Sequence, residues 1–208
     1  MTNALHINAS ARGKSSDSRS IATTFLDALA VQDPSLTVDT LDLFEERLPD
    51  FGTAAAGAKL AVFTGQEQTL EQGRAWDQAR EVFDRFAAAD LYVLSIPIWN
   101  SGIPYILKQW IDLVTQPGWA FEFDPAKGYS GLLAGKRAVT VYTSGVHSPG
   151  VPLEFGADFA TPFVEDWLRF VGIDSVAEIR YAPTVLTPDP SVGLAVAQER
   201  ARELAAGF

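Results

Sequence analysis

The chain has no cysteine among its 208 residues, a single methionine and two histidines. The first absence removes disulfides, thiol catalysis and thiolate metal ligation together. Two histidines without thiols make a poor ligand set, and the plentiful carboxylates nowhere cluster at ligand spacing, so no metal is expected. No apolar run approaches the ~20 residues that span a bilayer. The opening residues, Met1-Thr2-Asn3-Ala4-Leu5-His6, lack the basic-then-apolar order of a signal peptide. A cytoplasmic setting without a membrane partner is the expectation. Basic charge is also scarce: 16 Lys and Arg stand against 26 Asp and Glu, a net charge of −10. That balance repels a phosphate backbone and disfavours nucleic acid as a partner. Neither G-x-G-x-x-G nor a Walker loop occurs, and no G-x-S-x-G elbow supports serine hydrolysis.

What is present is core-forming: 47% of residues are hydrophobic, with 13 Phe and 5 Trp. The length suits one domain, residues 1–208. Ala4–Ala9 reads as a first strand, followed by a polar loop and a helix with Ile21, Phe25, Ala28 and Leu29 on one face. Leu36–Leu41 alternates as an edge strand would. Residues 44–65 show no clear period and predict a surface excursion with a short helix near Ala54–Leu60. A long helix over 66–88 carries Trp76, Ala79, Phe83 and Phe86. The unbroken apolar run Leu91–Ile98 is a buried strand, and Pro104 fits the first turn of the next helix. Residues 116–135 predict an inserted hairpin or lid. Lys136–Thr143 and Val176–Ala182 complete five strands. Phe159, Phe163, Trp167 and Phe170 stripe one of the intervening helices, and 190–206 forms the last. Strands alternating with helices mean a doubly wound parallel α/β sheet with helices on both faces. The flavodoxin-like order 2-1-3-4-5 puts the switch point between the first and third strands, where ligands of such sheets bind.

Three loops at strand ends carry the chemistry. Ser10 with Ser16, Asp17 and Ser18 brings hydroxyls and free N–H groups to a helix N-terminus, a setting for a phosphate monoester such as that of FMN. Arg12, Lys14 and Arg19 add positive charge, whereas Asp17 would repel a phosphate unless it turns outward. The plain alternative is a Ser N-cap on a solvated loop. Pro97-Ile98-Trp99-Asn100-Ser101-Gly102 ends the apolar strand in an open turn. Its backbone donors and its indole suit a flavin ring, although a turn plugged by Trp99 has the same sequence. Ser144-Gly145-Val146-His147 leaves the strand beside the switch point. Donors there suit the pyrimidine edge of a flavin, and His147 is the candidate catalytic proton carrier. His6, in mid-strand, reads as a hydrogen-bonded core histidine.

These residues resemble the FMN-dependent NAD(P)H azoreductases and the related NAD(P)H:quinone oxidoreductases. Pro97-Ile98-Trp99-Asn100 is similar to that family's Pro-Met-Tyr-Asn loop, and Leu107-Lys108-Gln109-Trp110-Ile111-Asp112 to its following helix. Phe121 lies in a likeness of Thr-Phe-x-Tyr, and Gly131-Leu132-Leu133-Ala134-Gly135-Lys136 matches Gly-Leu-x-x-Gly-Lys. Trp167-Leu168-Arg169-Phe170-Val171-Gly172-Ile173 resembles Phe-Leu-x-Phe-Ile-Gly-Ile, and Ser10 and Ser16-Asp17-Ser18 fall where the family's phosphate-binding serines lie. The resemblance implies a homodimer with tightly bound FMN. It also implies ping-pong hydride transfer from NADH or NADPH to a quinone or azo acceptor. Trp119, Phe121 and Phe123 are then candidates for the acceptor pocket. Trp99, Ile98, Phe123 and a loop with a single glycine at 145 depart from the family pattern and bear on flavin wall, substrate wall and pyrimidine-edge contact. The competing functions are a flavodoxin-like electron carrier, favoured by the acidity, and a flavin-free interaction domain.

Overall fold

The computed structural model describes residues 2–208. Five parallel strands form the sheet: β1 (Asn3–Asn8), β2 (Thr37–Asp42), β3 (Leu91–Pro97), β6 (Arg137–Thr143) and β7 (Ser175–Tyr181). Their order is β2-β1-β3-β6-β7, which is the 2-1-3-4-5 order once the two short strands β4 (Phe121–Asp124) and β5 (Gly128–Gly131) are set aside. Those two pair antiparallel as a separate ribbon. The helices are α1 (Asp17–Gln32), α2 (Thr53–Thr64), α3 (Leu70–Ala87), α4 (Tyr105–Val114), α5 (Ala160–Phe170) and α6 (Pro190–Ala206).

Strand periodicity divides the core into two layers. In β3, Leu91 and Val93 face α1 and α6 together with Ala4, Val139, Val141 and Ile179. Tyr92, Leu94 and Ile96 face α3, α4 and α5. β3 is buried almost throughout because helices cover both its faces, which accounts for its unbroken apolar sequence. β2, at the sheet edge, buries only its last two residues. Ala197, Ala201 and Ala205, four apart along α6, form its buried stripe and let it pack closely on α1.

Two local expectations are corrected. Pro104 is not in the first turn of α4 but caps it from outside, at φ −56° and ψ 141°. The buried face of α5 is Ala160, Val164, Trp167 and Leu168. Phe159 precedes the helix and is 66% exposed, and Phe163 is exposed as well. Asp158 Oδ1 accepts from the N–H groups of Ala160 and Thr161. That cap starts the helix one residue after Phe159; of the expected stripe, Trp167 and Phe170 pack on the core while Phe159 and Phe163 face outward.

Candidate functional site

β1 and β3 lie side by side, and their connections leave in opposite directions, so the chain opens between their carboxyl ends. A cleft of about 180 Å3 lies there. Segments following four strands line it: Ser10, Arg12, Ser16 and Asp17 after β1, then Pro97, Ile98 and Trp99 at and after the end of β3. Thr143, Ser144 and Gly145 come from β6, and Thr184 follows β7.

The wall after β1 is built on a helix start. Ser16 is the N-cap of α1, and its Oγ accepts from Arg19 N at 3.2 Å. Ser16 and Ser18 share a hydrogen bond of 3.2 Å between their hydroxyls. Ser10 Oγ accepts from Arg12 N. Because a hydroxyl can accept and donate at once, the caps leave Ser10 and one of the Ser16–Ser18 pair an O–H to offer. The first N–H groups of α1 have no partner inside the helix and add donors at its positive end. The N-cap role of Ser16 and the anion-binding role are therefore compatible. Asp17 does turn to a partner, with Oδ2 2.8 Å from Arg12 Nη1.

Beneath that wall runs a buried polar chain. Asn8 is fully buried; its Oδ1 accepts from Ser10 N, and its Nδ2 donates to Asp42 Oδ2 at 2.7 Å. Asp42 Oδ1 accepts from Phe44 N, which ties the loop after β2 to the same network. His6 Nε2 is 2.8 Å from Ser95 Oγ, which in turn donates to Ser18 O. Burial pushes the pKa of His6 down to about 4; Arg19 acts in the same direction and Asp42 against it.

The β3 wall is a tight turn. Trp99 and Gly102 exchange both backbone hydrogen bonds at 2.9 Å. Asn100 (φ 49°) and Ser101 (φ 68°) between them are both left-handed, the pattern of a type I′ turn. Asn tolerates that conformation; Ser adopts it at a cost of roughly 1 kcal/mol. The Trp99 ring lies 5.9 Å from Phe44, and Phe44 is 6.1 Å from Tyr105. Phe44 and Tyr105, both exposed, continue the aromatic row outward from Trp99 beyond the cleft lining, and the sequence did not single them out.

In the third loop Ser144 Oγ accepts from Val146 N and His147 N. His147 packs so closely on Gly156 that a Cβ there would sit 2.8 Å from its ring. Ser101 Oγ is also next to that point, so the second and third loops meet. His147 Nδ1 is buried without a hydrogen-bond partner among the described residues. Thr184 N donates to Ser144 O and Val185 N to Gly145 O, which carries the β6–β7 pairing one step past the strands and brings Thr184 to the cleft. Thr184 was missed, although it follows the last strand as the other lining residues follow theirs.

Trp119, Phe121 and Phe123 do not line this cleft within one chain. Trp119 packs on Trp76 at 4.5 Å and on Phe83 at 5.6 Å. Phe121 is buried against Phe170 at 4.9 Å. Phe123 is 53% exposed beside Tyr129. Among the described residues no group of His, Asp and Glu is placed to hold a metal ion, and no helix is long and apolar enough to cross a membrane.

Residues 2–205 match the family model described as flavodoxin-like fold. The chain is 44% identical over 193 residues to the FMN-dependent NADH:quinone oxidoreductase of Ruegeria pomeroyi, an alignment covering 93% of this chain and 95% of that one. It is 39% identical over 211 residues to FMN-dependent NADH:quinone oxidoreductase 3 of Pseudomonas fluorescens, covering 99% and 96%. Among solved structures it is similar to the azoreductase of Bacillus anthracis str. Sterne, with a TM-score of 0.89, 27% identity and full coverage of both chains.

Proposed function

We propose, because this chain belongs to the flavodoxin-like fold family of the FMN-dependent NADH:quinone oxidoreductases and azoreductases, that it is an FMN-dependent oxidoreductase acting at the cleft between β1 and β3. The observation that carries the reading is the meeting of three unlike surfaces at one switch point. They are a hydroxyl-lined helix N-terminus, an aromatic type I′ turn, and the Ser144–Gly145 loop after β6. The donor set fits FMN: neutral hydroxyls and N–H groups for a phosphate monoester, a flat, partly exposed indole for a ring. FMN held there would supply the hydride-transfer chemistry between NAD(P)H and a quinone or azo acceptor.

The chain's own part is binding and orientation. Ser10, Ser16 and Ser18, with the first N–H groups of α1, hold the phosphate. Pro97, Ile98, Trp99, Asn100 and Ser101 bound the ring on the β3 side, and Ser144, Gly145 and Val146 offer backbone groups on the β6 side. His147 stands just behind the cleft lining with its Nδ1 unpartnered among the described residues, and it is assigned the holding of a proton at the cofactor's edge. Of the aromatic residues expected around the acceptor, Phe123 is the one whose ring is free to meet another molecule. An acceptor wall at Phe123 therefore belongs with a second chain. Homodimerisation is supported by the exposed apolar row Leu153, Phe155 and Phe159 next to the Ser101 turn, since Phe159 N donates to Ser101 O. A cytoplasmic setting suits an enzyme that draws on reduced nicotinamide.

The test is direct. Purified protein is expected to be yellow or to become so with FMN, to bleach under anaerobic NADH or NADPH, and to recover its colour on addition of a quinone. Failure to bind FMN, or bound flavin that neither nicotinamide reduces, overturns the reading. Sedimentation equilibrium decides the dimer separately.

A further inference from the structure

Arg12 and Arg19, two cations of the phosphate cradle, are already paired. Arg19 lies 3.4 Å from the nearly buried Asp42, and Arg12 lies 2.8 Å from Asp17. The two acids differ in what else they do. Asp42 also accepts from Asn8 and Phe44, so it holds two loops together. The Asp17 side chain accepts from Arg12 and from no other group among the described residues. It lines the cleft and occupies the first position of α1, where the helix end attracts negative charge. An anion, a positive helix end and a guanidinium thus form a closed set without any ligand.

We propose, resting on the FMN reading, that Asp17 is an internal counter-anion that competes with the cofactor's phosphate for Arg12 and for the start of α1. It holds FMN affinity below what the serine cradle with an uncompensated Arg12 would give, and it weakens the salt dependence that such an Arg12 would impose. With Asp17 and Arg12 both present, the pair adds no net charge beside the phosphate. Removal of either charge exposes the other. The Asp17→Asn side chain keeps the shape and the helix position but cannot compete, so phosphate meets an uncompensated Arg12. The Arg12→Gln change leaves Asp17 facing the phosphate alone.

The experiment is calorimetric titration of flavin-free full-length protein with FMN, and in parallel with riboflavin, over a range of NaCl concentrations. The expected result at low salt is about tenfold tighter FMN binding for Asp17→Asn and about tenfold weaker binding for Arg12→Gln. The slope of log affinity against log salt should be more negative in Asp17→Asn than in the unmodified protein and more positive in Arg12→Gln. Riboflavin, which has no phosphate, should bind all three equally. FMN binding by Asp17→Asn that is unchanged or weaker overturns the proposal, as does an equal gain for riboflavin. If no version of the protein binds FMN, the underlying functional reading falls and this proposal with it. If FMN binds and bleaches with NADH but the variants do not separate, only the role of Asp17 is lost.

Discussion

The turn at Trp99–Gly102 and the root of the ribbon at Gly131 both press a loop against the end of another element, in opposite ways. At the turn the chain accepts two left-handed residues and leaves an indole partly exposed. At the root it brings backbone onto backbone. A Cβ on Gly131 would sit 2.1 Å from Gly172 N, and Leu133 N donates to Val171 O at 2.9 Å. The aromatics near the root are spent inward: Phe86, Trp110 and Trp167 lie within 5.2–5.9 Å of one another. Both regions carried motifs with a family resemblance, yet they do different work. The Gly131–Lys136 and Trp167–Ile173 motifs touch each other, and their similarity reports packing. The Pro97–Trp99 part of the other motif lines the cleft, where the proposed function places the flavin.

Gly131→Ala breaks the comparison at its stable end and carries the largest expected effect. The added methyl meets main chain, which has no rotamer to retreat to, so a loss of more than about 3 kcal/mol is expected. In a chain of this size that lowers Tm by about 10 °C. Urea denaturation that matches the unmodified protein would mean the ribbon can lift away from α5 freely, and the contrast between the two regions would vanish.

Next in size is an acid-driven loss seated beneath the cleft. Above about pH 6.5 His6 is neutral in folded and unfolded chains alike. Below that, the unfolded chain takes up a proton that the folded one refuses until about pH 4. Stability is therefore full above 6.5 and drains as pH falls towards 4, by about 3 kcal/mol at the lower limit. Asp39 and Asp158, whose carboxyl pKa values are lowered in the fold by hydrogen bonds to Arg85 and to Thr161 and Arg180, lose their contribution only below the ordinary value of 3.8. The two windows do not overlap. Denaturation curves for His6→Gln should thus be flat between pH 6.5 and 4.5, and a slope equal to that of the unmodified protein would remove His6 as its cause.

Trp99→Ala probes the binding end. The ring is only partly exposed, with Phe44 its aromatic neighbour, so a stability loss of about 1 kcal/mol is expected. FMN affinity should fall by about tenfold, near 1.4 kcal/mol, as an aromatic wall is removed. Fluorescence titration with FMN checks this, and unaltered affinity would take Trp99 out of the site.

The two regions also explain which features were legible from sequence. The strands followed from hydrophobic runs and alternation, because burial on one or both faces of a sheet is written into neighbouring residues; their order followed from the alternation of strands and helices read as flavodoxin-like. Ser10, Trp99 and Ser144 followed from one rule: a small or aromatic residue just past a strand's carboxyl end. Phe44 and Thr184 obey the same rule, but Phe44 stands in an aperiodic segment and Thr184 behind a proline, where nothing local marks them. Their place depends on contacts between loops 40 to 60 residues apart, such as Phe44 with Trp99. The α5 stripe misled for a related reason. Phe159, Phe163, Trp167 and Phe170 share a helical period, but only the half of it that meets the core beside Val164 and Leu168 is buried, and Phe159 falls before the helix that Asp158 caps.

The smallest expected effect is the sharpest test of strain at the turn. Ser101 has φ 68°, a conformation that disfavours any residue with a Cβ and leaves glycine unpenalised. Ser101→Gly should release roughly 1 kcal/mol of that strain and lose part of the gain to the greater freedom of the unfolded chain, for a net rise of about 0.5 kcal/mol. Ser101→Ala keeps the Cβ and removes only the hydroxyl, so it should give no rise. The backbone carbonyl that accepts from Phe159 N is untouched in both. A gain in Ser101→Gly alone, read from urea curves, places the strain in the backbone. An equal gain in both would trace it to the hydroxyl, and a loss in both would show that the side chain, packed near His147 and Gly156, contributes more than its conformation costs.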